Sequence, residues 1–223
     1  MSITAFVLQR CFLVVCFVAW LVAPSGCQRA YYAALEQFGY HKRDLLISRV
    51  QDARDSQEEA KEQFQSALEK FSAVLHVDGG ALEDKYNQLK AELERSEATA
   101  STVHDRIQAV ENVSEALFEE WESELDQYAN EKLRRDSARQ LHAARGRYTP
   151  LIRSMKRAET KIDPVLSAFR DQVLYLKHHL NARAIASLQG ELTSIETHID
   201  VLIREMEAAI SEADAFIKAI GST

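Results

Sequence analysis

The sequence predicts an all-α protein: an elongated antiparallel three-helix bundle or coiled coil that follows an N-terminal signal segment. Three observations carry that prediction. Helix breakers are scarce, since only three of 223 residues are proline and seven glycine, while 27% are charged; such a composition belongs to long helices. Apolar residues recur at alternating spacings of four and three over many turns, which imposes a left-handed seam. The apolar–polar alternation of a half-buried strand does not occur.

The first element is the leader. Its only charge is Arg10, and an apolar run follows from Cys11 to Ala23. That run is shorter than the roughly 20 residues a transmembrane helix needs. Ser25-Gly26 supplies small residues beside Cys27, so residues 1–26 read as a lipoprotein signal and Cys27 as the lipidated residue. An uncleaved anchor and ordinary cleavage are the alternatives. Pro24 stands where lipoprotein signals usually carry an aliphatic residue. Gln28 is not the aspartate that typically retains lipoproteins at the inner membrane, so the resemblance implies the periplasmic face of the outer membrane. Inner-membrane anchorage facing the periplasm is the other placement. Cys11 and Cys16 lie in the leader, and a lipidated Cys27 leaves no thiol for a disulfide, zinc site or redox pair.

Residues 27–40 read as a tether or short helix. Tyr31 and Tyr32, with Leu35 and Phe38, suit a membrane interface, where tyrosine keeps one end apolar and the other wet. A helical turn packed on the bundle is the plainer alternative.

The bundle is expected over residues 41–220, with helices at about 41–77, 81–145 and 150–220. The first helix has the seam Leu46, Val50, Ala53, Ala60, Phe64, Ala67, Phe71 and Val74, interrupted only by Gln57. Asp78-Gly79-Gly80 offers a left-handed stop. The second helix has Leu82, Tyr86, Leu89, Leu93, Ala100, Val103, Ile107, Val110, Leu117, Trp121 and Tyr128. Gly146, Thr149 and Pro150 suit a corner, as stop, cap and first helical residue. The third helix has Phe169, Val173, Leu176 and Leu180, then Leu188 through Ile220. It is expected to kink at Asp163-Pro164 and to carry a stutter between Leu180 and Leu192. Helices this long would extend about 95–105 Å.

A first corner at residues 77–81 places residue i of the first helix opposite about 158 − i of the second. Residues 111–131 hold eight acids and no Lys or Arg. The three-helix register pairs them with residues 27–47 and 164–184, including Arg170, Lys177 and Arg183, and brings Ile220 near Leu75.

Residues 132–161 hold ten cations: Lys132, Arg134, Arg135, Arg139, Arg145, Arg147, Arg153, Lys156, Arg157 and Lys161. Only Asp136 and Glu159 oppose them. This segment is expected at a hairpin tip, either merely solvated or binding anionic lipid head groups or an acidic envelope protein. Nucleic acid fits the charge, but the export signal argues against it. No catalytic constellation is legible: no Gly-rich phosphate loop, Gly-x-Ser-x-Gly or His-Glu-x-x-His occurs, and adjacent His178 and His179 diverge on a helix. The expectation is a non-enzyme without cofactor, metal or small-molecule substrate. It meets the membrane through lipid on Cys27 and acts as a structural or partner-binding module. The alternative is a membrane-apposed bundle whose basic tip binds anionic phospholipids.

At Cys27-Gln28-Arg29-Ala30-Tyr31-Tyr32, Phe38-Gly39, His41-Lys42-Arg43-Asp44 and Arg49-Val50-Gln51-Asp52-Ala53-Arg54-Asp55, the chain resembles a family of uncharacterised proteobacterial lipoproteins. The resemblance covers essentially all of the chain after the signal. It implies a periplasmic, membrane-anchored, largely helical protein and no assigned reaction.

Overall fold

The computed structural model describes residues 41–76, 82–179 and 182–221. The chain divides into two compact units, 1–45 and 46–223, and the packing below is that of the second. The described residues form five α-helices and one 3-10 turn, with no strand among them: α1 Lys42–His76, α2 Leu82–Glu124, the turn Leu125–Gln127, α3 Glu131–Thr160, α4 Ile162–His178 and α5 Ala182–Gly221.

These helices make an all-α antiparallel bundle. Asp52 lies 3.7 Å from Arg106 and Gln63 3.4 Å from Ser96, the pairing that the 158 − i register requires of α1 and α2. Ion pairs Lys156–Glu111 and Arg170–Glu97, each at 2.6 Å, run α3 and α4 back along α2. Arg157–Glu205 at 3.4 Å then runs α5 back along α3. The bundle therefore has four arms, with α3 and α4 end to end in the third.

The heptad expectation is met residue for residue in the described parts of α1 and α5, apart from Gln57, and in part in α2. There Leu89, Leu93, Val103, Ile107 and Val110 are buried, but Leu82, Tyr86, Ala100, Leu117 and Trp121 are only half-buried, and Val113 and Phe118 enter the core instead. Leu46, Val50, Ala53, Ala60, Phe64, Ala67, Phe71 and Val74 of α1 are buried, as are Leu188, Leu192, Ile195, Ile199, Leu202, Met206, Ala209, Ala213, Phe216 and Ile220 of α5. Phe71 stacks on Phe169 of α4, with ring centroids 4.2 Å apart. Full burial of side chains this size contributes about 1.5–3 kcal/mol each, so this seam is the main source of cohesion. Gln57 occupies its own slot wholly buried, and both polar atoms of its amide lack a partner.

The second corner is not where the sequence was expected to turn. α2 stops at Glu124, some twenty residues early, and α3 starts after Asn130. Asn130 is extended, with φ −94 and ψ 109, and its Oδ1 accepts from the backbone N–H of Lys132 at 2.9 Å and Leu133 at 3.2 Å. That is an N-cap, supported by Glu131 in the first turn where the helix dipole favours an acid. Gly146, Thr149 and Pro150 lie inside α3 instead. A proline there costs about 3 kcal/mol, but Leu141, Leu151, Met155 and Ala158 are buried on either side of it. Their burial carries the helix through. Nothing lies within 4 Å of a Cβ added at Gly146, so that glycine meets no close-packing demand.

Three further expectations change with it. The longest helix has 43 residues, about 65 Å rather than 95–105 Å. The third expected helix is three pieces: α3 ends where the Lys161 N–H turns to the carbonyls of Ala158 and Glu159, and α4 ends at His178. The first of those breaks answers to the expected kink, since Pro164 sits in the opening turn of α4, where no backbone donor is needed. Leu180, where the stutter begins, lies outside the described residues. A fourth arm also reverses the last helix relative to the first. Asp214 stands 3.0 Å from Arg54, so Ile220 falls toward the Leu46 end of α1 and not beside Leu75.

Candidate functional site

Residues 111–131 carry −8 and residues 132–161 carry +8. The early corner folds one against the other. Arg145 reaches Glu122 at 2.7 Å and Lys156 reaches Glu111 at 2.6 Å, so the acids of α2 meet α3 and not residues 164–184. Arg170, expected opposite those acids, bonds Glu97 instead. The guanidinium of Arg145 holds the Glu122 carboxyl below its ordinary range, and the bond to Glu111 raises the Lys156 ammonium. Arg145 also lies over the Phe118 ring, 5.6 Å from its centroid, while Tyr148 meets that ring edge-on at 5.5 Å. Burial raises the Tyr148 hydroxyl, against a hydrogen bond with Ser114. Trp121 Nε1 donates to Ser137 Oγ at 2.8 Å and closes this contact near the corner.

The basic segment is thus the flank of a helix and not a hairpin tip. Its ten cations separate into two groups. Arg134 pairs with Glu131 at 3.6 Å, Arg139 with Asp136, Arg145 with Glu122, Lys156 with Glu111, and Arg157 with Glu205. Lys132, Arg135, Arg147, Arg153 and Lys161 make no ion pair among the described residues. Cys27, Tyr31 and Tyr32 lie outside the described residues, as do Arg29 and the rest of residues 27–40.

The true tip is the α2–α3 corner, where Tyr128 is 39% and Leu133 53% exposed. The seam periodicity had put Tyr128 in the core. It is exposed because α2 ends four residues before it, leaving its backbone extended at φ −72 and ψ 116. Asn130 followed by Glu131 was the local signal for this corner, and it was overshadowed by the louder Gly146–Pro150 pattern.

Two polar features give no sequence signal. Glu92 is 2% exposed in α2, bonded by Arg95 and, at 2.6 Å, by Lys70 of α1, with Gln63 at 3.4 Å. Burial alone would raise this carboxyl, but the two cations outweigh it and hold it below the usual range. His104 Nδ1 lies 2.6 Å from Glu159, whose carboxylate raises the imidazole above its ordinary value. Between α4 and α5 runs an open groove of about 560 Å³ bordered by Asp171, Gln172, Tyr175, Glu191 and His198. Among the described residues, no three His, Cys, Asp or Glu gather as metal ligands, and no helix is long and apolar enough to cross a membrane.

Residues 31–220 match the family model described as a protein of unknown function, DUF2959. The chain belongs to the DUF2959 family. The match covers the described bundle of this DUF2959 protein through Ile220, so the fold is that of the family domain and not an appended module. No curated protein matches the chain.

Proposed function

We propose that this DUF2959 protein is a non-catalytic, lipid-anchored module of the cell envelope. It would be held through Cys27 at the periplasmic face of the outer membrane and would engage an envelope protein. The anchor rests on the short apolar run ending in Ser25-Gly26-Cys27. The observation that carries partner binding is the α2–α3 corner, where Tyr128 and Leu133 stand exposed within a few residues of Arg134. An exposed tyrosine with an arginine nearby has the composition of interface hot spots, and Leu133 adds an apolar side chain to it.

A photo-crosslinking residue at Tyr128, introduced in cells, tests this. The expected result is one protein captured in discrete stoichiometry and lost when Leu133→Asp is added, with helicity unchanged. Capture that ignores Leu133→Asp, or no capture, defeats partner binding at this corner. The anchor is tested separately: a fatty-acid probe should label the wild type and not Cys27→Ser, and label that persists in the variant defeats it.

A further inference from the structure

Of the five cations without an ion pair, Lys132, Arg135, Arg153 and Lys161 share one face of α3 and its C-cap, and Arg147 lies off it. Residues three and four apart share one face of a helix, and the outer face of α3 reads Lys132, Arg135, Arg139, His142, Gly146, Pro150, Arg153, Arg157 and Lys161. All of these are exposed except Lys161, which is half-buried. None is acidic. The only acids of the segment are already paired, Asp136 with Arg139 and Glu159 with His104. Off this face, Arg145 and Lys156 are taken by α2, and on it Arg157 is held by Glu205 of α5. What remains among the described residues are unpaired cations toward both ends of one face, from Lys132 and Arg135 to Arg153 and Lys161, spanning about 40 Å at the helical rise.

We infer that this outer face of α3 is a docking surface for an anionic lipid membrane. The inference rests on the envelope placement proposed above but not on the partner-binding corner. Three features favour a flat lipid surface over an acidic protein. The face carries no exposed large apolar side chain, since Leu133 sits on the other side of α3 and Leu174 and Tyr175 belong to α4, so it lacks the anchor that protein interfaces use. Its middle consists of short groups, Gly146, Thr149 and Pro150, and a Cβ at Gly146 would meet open space. The helix can therefore lie close to a plane while longer side chains at both ends reach head groups. Finally, cations set at both ends of one face, with only exposed residues between them, match an anion distribution that is itself diffuse.

Arginine footprinting of the full chain reads this directly. The protein is reconstituted with vesicles of phosphatidylcholine alone or mixed with phosphatidylglycerol, and phenylglyoxal modification is mapped by mass spectrometry. Arg135 and Arg153 should be protected severalfold on the anionic vesicles and regain reactivity at high salt. Arg204, exposed on α5 with no ion pair among the described residues, should not change. Replacing Lys132, Arg135 and Arg153 by Gln should weaken the remaining protection at Arg139, exposed on the same face, by up to about fivefold per charge removed. Equal reactivity of Arg135 and Arg153 on both vesicles overturns the inference, as does equal protection of Arg204. Cosedimentation separates it from the anchor: a chain held by anionic but not neutral vesicles refutes lipidation and keeps the docking face, and one held by neither refutes both.

Discussion

α5 and α3 run side by side in the same bundle and are held there by different means. α5 presents an unbroken buried row from Leu188 to Ile220. α3 buries only Leu141, Leu151, Ser154, Met155 and Ala158 over thirty residues and meets its neighbours through Arg145, Lys156 and Arg157. The first helix is fixed by area removed from water, which does not depend on which apolar neighbour removes it. The second is fixed by charges that must find particular partners. Apolar burial is therefore robust to errors of register, whereas charge pairing reports register and contributes little cohesion.

The largest expected effect breaks the apolar side of that comparison. Leu202→Asp puts an unpaired charge at a wholly buried position of α5 and should cost about 4 kcal/mol or more. Chemical denaturation of the variant checks it; a loss under about 1 kcal/mol would mean the seam is not what holds α5.

Glu92 is the exception within the apolar half, a buried acid held by Arg95 and Lys70. Its folded value is depressed from 4.5. Its contribution is therefore fully present above that unfolded value and is lost as pH falls through the lower folded one. Stability followed from neutral to acid pH should drop over that window. Glu92→Gln should be less stable at neutral pH and show a shallower acid limb. An unchanged limb would place the acid sensitivity elsewhere.

Gln57 sharpens the comparison in the opposite direction. Its amide is buried in the α1 seam with neither polar atom partnered, a state that costs about 1–3 kcal/mol. Gln57→Leu should raise stability by about that amount, read as an upward shift of the thermal midpoint. A destabilised variant would show that the amide has a structural use.

Asn130→Ala removes the cap at the α2–α3 corner and should cost about 1 kcal/mol, with amide exchange rising first at Lys132 and Leu133. The smallest effect falls on the charged side. Glu205→Gln removes a half-buried partner of the exposed Arg157 and should change stability by only about 0.2–1 kcal/mol, measured by the same denaturation. A loss as large as that of Leu202→Asp would erase the distinction between the two helices.

The sequence by itself determined the fold class, the seam and the first hairpin. Leu46 through Val74 and Leu188 through Ile220 are buried as their spacing requires, because burial follows helical periodicity and periodicity is local. The register of α1 on α2 was equally legible, since one glycine-marked turn fixes it. Only the tertiary structure decided the rest. Gly146 and Pro150 are the strongest breakers in the middle of the chain, yet Leu151 and Met155 find a core on either side and override them; Asn130 breaks the chain instead because its carbonyl can satisfy two backbone donors at once. With the second break after His178, that choice adds the fourth arm and reverses α5. It also turns ten basic residues from a free tip into a helix flank, five paired inside the protein and five without an ion pair among the described residues. Which cations are spent and which remain is a question of partners brought from residues far along the chain. No pattern within the segment itself could contain the answer.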